Sequence, residues 1–240
     1  MRGRTQAALR MQLVARSIAL LAFVMPVAAG QKHDKALLDA ARASDWSGVR
    51  KAYRYASHRV RAYVLRQLVA QFRTETPQSE ARLTNVAWTL TGCGKRGFES
   101  LDKCWRMSAQ RPSSRRAIVA GWARSSSPSA QKRILKAVWD RDVTVSERAI
   151  RACADFTHLK DSWRRTMIET LLRRYDKINS DSAGAKRDSD EYRAYVSLPV
   201  PIRETLTVLS GGEKFDSAEA WGAWFKENRD KLPALTPEKS

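Results

Sequence analysis

Residues able to do chemistry are few in this chain, and they are scattered. The three histidines, His33, His58 and His158, lie far apart, and none has a cysteine or carboxylate beside it at the spacing a zinc site needs. No G-x-S-x-G elbow, H-E-x-x-H helix or Cys-His arrangement is present. Carboxylates are sparse where the helical signal is clearest, which leaves a general acid and base pair no home. Asn179, Asp181, Gly184 and Asp190 fall at positions 1, 3, 6 and 12 of a calcium loop. Ala183 removes one ligand there, and Lys186-Arg187 sets two positive charges against a cation. The chain reads as non-enzymatic, with no metal and no cofactor.

Two short stretches look like nucleotide machinery and fail on chemistry. Leu209 to Glu213, LSGGE, matches a transport-ATPase signature loop on four of five letters, and Gly94-Lys95 looks like the end of a phosphate-binding loop. Arg96 stands where a Ser or Thr should reach magnesium, and Thr89 stands where the opening glycine belongs. No nucleotide partner is expected.

Binding is better served than catalysis. The formal net charge is +19, and arginine outnumbers lysine 30 to 14, which favours the planar, bidentate cation for phosphate or carboxylate. Trp46 to Thr74 holds seven basic residues and Lys103 to Trp139 holds nine, with no acid in either window. Arg59, Arg66 and Arg73, spaced by seven, fall on one side of a helix opposite Val60, Val64, Leu65, Leu68, Val69 and Phe72. They are expected to form an exposed stripe, joined by some of Arg115, Arg116, Arg124 and Lys132, for an acidic protein partner or an anionic polymer. The plainer alternative is a solvated face.

Residues 1–30 carry the order of an export signal. Arg2, Arg4, Arg10 and Arg16 precede a short apolar run over residues 17–27, and Val27-Ala28-Ala29 ends in small residues. That run is too short to span a bilayer comfortably, so the mature chain is expected to begin near Gly30 or Gln31, to lack a transmembrane segment, and to work in the periplasm or outside the cell. In an oxidising space Cys93 and Cys104 are the natural disulfide, worth roughly 3 kcal/mol in the chain-entropy model, with Cys153 left as a buried thiol.

The elements that must hold these residues are helices. Helical period predicts units at about 35–43, 45–57, 60–73, 78–91, 98–109, 114–124, 130–140, 146–157, 162–178, 200–209 and 217–229. Asp34, Asp45, Thr76-Pro77 and Ser127-Pro128 offer N-terminal caps, and Gly92 and Gly211 offer C-terminal stops. Trp221, Trp224 and Phe225 share one face of the last helix behind an Asp216 cap, with Glu219 as its capping-box partner. This face is read as a structural cap in preference to an aromatic platform for sugar or peptide.

Val145 to Tyr175, with Ala149-Ile150, a Leu159-Lys160-Asp161 turn and Ile168 to Leu171, resembles a HEAT-repeat junction. The segment LSGGEKFDSAEAWGAWFKENRDKL is similar to the W-x-x-W closing segment of exported bacterial HEAT-repeat proteins, with Ser210-Gly211 in place of the usual Thr-Gly. The resemblance implies an all-α chain forming a short right-handed α-solenoid of HEAT-like hairpins, used for binding and with no shared reaction. On this reading residues 31–178 are the repeats, 179–190 a flexible linker and 191–240 the C-terminal capping segment.

Overall fold

The computed structural model describes residues 32–73, 79–125, 127–156, 160–233 and 235. The expected export signal at 1–30, the Thr76-Pro77 cap, Leu159 of the predicted turn and His158 lie outside the described residues. The described chain is all-helical, as its apolar spacing requires. It divides into two compact units, Met1–Val64 and Leu65–Ser240.

In the first unit, helix α1 (Lys32–Arg42) packs against α2 (Trp46–Tyr53) through Leu37, Leu38, Val49 and Tyr53. Asp45 caps α2 as expected, its side chain accepting from the Gly48 amide at 2.9 Å. Asp34 has a different role from the expected cap. It lies inside α1, 5% exposed, and its Oδ1 accepts the Ser57 amide at 2.6 Å, just ahead of α3 (His58–Ala70).

The second unit is built from α4 (Glu80–Gly92), α5 (Gly94–Met107), α6 (Pro112–Ser125), α7 (Pro128–Ala137), α8 (Val143–Cys153), α9 (Asp161–Ser182), α10 (Asp190–Ser197), α11 (Pro199–Ser210) and α12 (Ala218–Asn228). Helices α4, α6, α8 and α11 pack in succession, each on the next. Helix α5 touches both α4 and α6, and α7 touches both α6 and α8. Buried Leu83, Val86, Leu90, Ile118, Trp122, Ile134, Ile150 and Leu206 fill the space between them. The crossing of α4 on α6 needs Gly121: a Cβ there would lie 2.4 Å from the Ala87 Cβ and 2.7 Å from the Trp88 amide nitrogen. Ser127 caps α7 by accepting from the Ala130 amide, and Gly211, at φ +89°, ends α11 in the left-handed conformation that glycine adopts freely.

Three expectations are corrected. The stretch 179–190 is not all linker, because α9 continues through Ser182 and α10 begins at Asp190. The calcium-loop positions Asn179 and Asp181 are therefore helical. The last helix is capped by Ser217, which accepts from the Ala220 amide at 3.2 Å, and not by Asp216. Cys93 and Cys104 are not joined in the expected disulfide. Residues 92–97, left between the predicted helices at 78–91 and 98–109, instead close α4 and open α5, and an eleven-residue rise along the helix holds the two Cα atoms about 16 Å apart, far beyond disulfide reach. Cys93 donates to the Thr89 carbonyl oxygen and Cys153 to that of Ala149, both at 3.4 Å.

Burial pushes Cys104 up to about 12, although Arg73, Lys103 and Arg111 oppose it, and burial with nearby Asp155 does the same to Cys153. Both should resist iodoacetamide at neutral pH in the folded state and react once denaturant exposes them. Mass spectrometry of the alkylated native protein checks this; fast native labelling of either cysteine would contradict it.

The closing helix packs on α9. Trp221 is fully buried, donates from Nε1 to the Phe215 carbonyl at 3.0 Å, and meets Phe215 and Trp224 edge-on at 4.9 and 5.8 Å. Trp224 is also buried and Phe225 half-buried, so neither tryptophan offers an open face to a ligand. Tyr175 donates to the Asp216 carbonyl at 3.2 Å, and Arg164 donates to that of Pro233 at 2.5 Å, which ties the chain after α12 back to α9.

Candidate functional site

The expected basic residues separate into three groups. Arg59 and Arg66 are exposed on α3, and Arg73 is exposed in the turn beyond its end. Arg116 and Arg124 are held within the chain: Arg116 bonds Glu80 at 2.8 Å and Thr144 at 2.8 Å, and Arg124 bonds Asn85 Oδ1 at 2.7 Å. Arg115 and Lys132 line one groove. Arg115 and Arg116 are thus paired with carboxylates, which the acid-free windows did not lead one to expect. The acid-free window finds its acids elsewhere, since packing brings Glu80 from α4 to Arg116 and Asp140 from the α7–α8 connection to Arg115.

The groove, about 1150 Å³, lies in the second unit among α5, α6, α7 and the connection into α8, and reaches the start of α10. Each of its four carboxylates is engaged. Asp102 accepts a fork from Arg133 at 2.6 and 2.5 Å, with the guanidinium 4.8 Å from the Phe98 ring centre. Asp140 pairs with Arg115 and also accepts the Asp142 amide at 3.0 Å. Asp142 caps α8 by accepting from the Thr144 and Val145 amides at 3.0 and 3.1 Å and from the Thr144 hydroxyl at 2.6 Å. Asp190 meets Arg193 at 3.4 Å.

The cations are not matched in the same way. Arg106, Lys132, Lys136 and Arg141 are exposed along the groove and meet no carboxylate among the described residues. Aromatic rings position part of the wall: Arg115 lies 4.2 Å from the centre of Trp105, Lys132 lies 5.7 Å from that of Trp163, and Arg174 lies 5.5 Å from that of Trp139. Trp105 in turn sits 5.2 Å from Trp122, tilted by 34°. Trp122 is 2% exposed, lines the groove, and has no acceptor for its Nε1–H.

Burial sets the titration of the site. It pushes the Asp140 carboxyl above the ordinary range, with the Asp142 amide and Arg115 pulling the other way. In Asp142 burial is outweighed by the bonds from Thr144 and Val145, and the carboxyl ends below its ordinary value. Burial lowers Arg174 as well, with Asp181 and Asp140 opposing. Acceptors in the groove are thus satisfied while donors and positive charges are in excess. Such an arrangement leaves excess positive charge along the groove. No cluster of His, Cys, Asp and Glu suited to a metal occurs among the described residues, and no described helix is long and apolar enough to cross a membrane.

Reading charge windows alone missed this groove. A usable signal was present: Trp88, Trp105, Trp122 and Trp139 recur every 17 residues, one each from α4, α5, α6 and the turn after α7, and the last three line the groove. A scan against protein-family models, a search of curated proteins and a search of solved structures each return no match to this chain.

Proposed function

We propose that the protein is an exported, non-enzymatic binding module, a short right-handed α-solenoid of HEAT-like hairpins that holds an acidic partner protein. The solenoid reading is supported by the succession of α4, α6, α8 and α11, with α5 and α7 each touching the two helices that flank it in sequence. One observation carries the binding reading: every carboxylate of the groove is engaged, while Arg106, Lys132, Lys136 and Arg141 are not neutralised. A low-dielectric wall with that imbalance focuses positive potential into the groove. Tryptophan fluorescence tests the reading, because Trp105 and Trp139 line the site. A blocked oligoglutamate should change the emission saturably and an oligolysine should not; equal responses to both would end the proposal.

Arg59, Arg66 and Arg73 favour a second reading, the binding of anionic polymers, because all three are exposed and meet no carboxylate among the described residues. On that reading, replacing the three with alanine shortens retention on heparin and flattens its salt dependence. Unchanged elution leaves them as a solubilising surface.

A further inference from the structure

We infer that the connection between α9 and α10, residues 183–189, is a cleavage site for a trypsin-like protease, and that the cut protein persists as a two-chain molecule. A protease holds the segment it cuts in extended form, so the bond must lie outside packed helix or be released from it by local opening. Here little has to be released. The backbone hydrogen bonds of the connection are local: the Ala185 amide donates to the Ser182 carbonyl at 3.1 Å, and the Ser189 amide to that of Lys186 at 3.0 Å. Gly184 takes φ +82°, and a Cβ there would meet nothing within 4 Å. Lys186 and Arg187 are both exposed. The acids on either side, Asp181 and Asp190, pair with Lys177 and Arg193 instead. Helix α10, which follows, buries only Ala194 along its length, so its first turn can open without disturbing the core.

Other exposed basic residues in connections are held more firmly. Arg141 precedes Asp142, whose carboxylate is fixed by the Thr144 and Val145 amides at the start of α8. Lys214 precedes Phe215, whose carbonyl accepts the indole N–H of the buried Trp221. At the proposed site the acid in the S1 pocket of a trypsin-like enzyme accepts the Lys186 or the Arg187 side chain. Hydrolysis of the Lys186–Arg187 bond consumes one water, leaves a carboxylate on Lys186 and an ammonium on Arg187, and does not change the net charge. What lies beyond the cut stays in place. Helix α11 packs on α8 and α9, and α12 packs on α9. Ile202, Leu206, Leu209 and Trp221 are fully buried there, and Thr205 donates to the Ile150 carbonyl at 3.3 Å. Apolar burial of this kind holds the two pieces together without the peptide link.

Brief digestion of the full chain with trypsin in native buffer, followed by intact-mass measurement, tests the site. Within residues 32–233 the first cut should fall after Lys186 or Arg187. The two products should co-elute from a sizing column and separate only in denaturant. Lys186→Gln combined with Arg187→Gln, at two exposed positions, should lose this cut and keep its melting temperature. Relative to a short peptide substrate, the rate of cutting should not rise when urea is added below the unfolding transition, because local opening and not global unfolding exposes the bond. A first cut elsewhere in that span, or a rate that climbs with urea, would overturn the site. Products that separate in native buffer would overturn the two-chain form.

Discussion

Trp221→Ala is expected to lower the unfolding free energy by about 3–5 kcal/mol, the range for truncating a fully buried large aromatic side chain. The ring is 0% exposed, packed edge-on between Phe215 and Trp224, and bonded through Nε1 to Phe215. Its loss opens a cavity where α12 meets α9 and leaves the Phe215 carbonyl without that donor. Trp221→Phe should recover part of the packing but not the hydrogen bond. Chemical denaturation with both variants measures the difference, and an unchanged midpoint for Trp221→Ala would show that α12 is not part of the cooperative core.

The second large effect is expected at Arg115, whose removal strands Asp140. Asp140 has 1% of its side chain exposed and Arg115 has 17%, so Arg115→Ala leaves an almost dry carboxylate at a cost of about 3 kcal/mol near neutral pH. The pH dependence has a definite sign. Burial already raises the Asp140 carboxyl above its ordinary value, and losing the guanidinium raises it further. Below the unfolded-state pKa the group is protonated in both states and the electrostatic cost disappears. As pH rises through the folded-state pKa the full penalty appears. Asp140→Asn in the Arg115→Ala background should restore most of the stability at neutral pH, because Asn can still accept the Asp142 amide. Unfolding curves at acid and neutral pH check this; a penalty that does not change with pH would mean that Arg115 stabilises only by packing on Trp105.

Local features of the fold were legible, since they depend on neighbours in sequence. The apolar spacing of Val60 to Phe72, the Ser127-Pro128 start of α7, the Asp45 cap and the Gly211 stop all appear as read. Misreadings cluster where a distant partner decides. Residues 92–97 fell between the predicted helices at 78–91 and 98–109, but Gly97 sits within α5 where a Cβ would come 1.8 Å from the Leu90 carbonyl oxygen, so the glycine serves a tight contact between α4 and α5. Asp34 looked like a helix cap, but the amide it satisfies belongs to Ser57. Polar residues at 179–182 looked like linker, yet they are the half-buried last turn of a helix whose buried face includes Tyr175 and Ile178.

Charge was legible in amount and not in pairing. The excess of arginine was plain, but Arg115, Arg116 and Arg133 find Asp140, Glu80 and Asp102 at separations of 25, 36 and 31 residues, across helices whose packing no charge window contains. The useful cations are the ones that packing leaves unmatched, and only the assembled groove shows which they are.

The most direct measurement of the central claim is the salt dependence of oligoglutamate binding by the wild type and by a variant with Arg106, Lys132, Lys136 and Arg141 all replaced by glutamine. All four side chains are exposed, so the variant should fold with an unchanged melting temperature. The wild type should bind more weakly as salt rises, and the variant should lose most of its affinity and most of that slope. Equal affinity and equal slope in the two proteins would contradict the groove as the binding site.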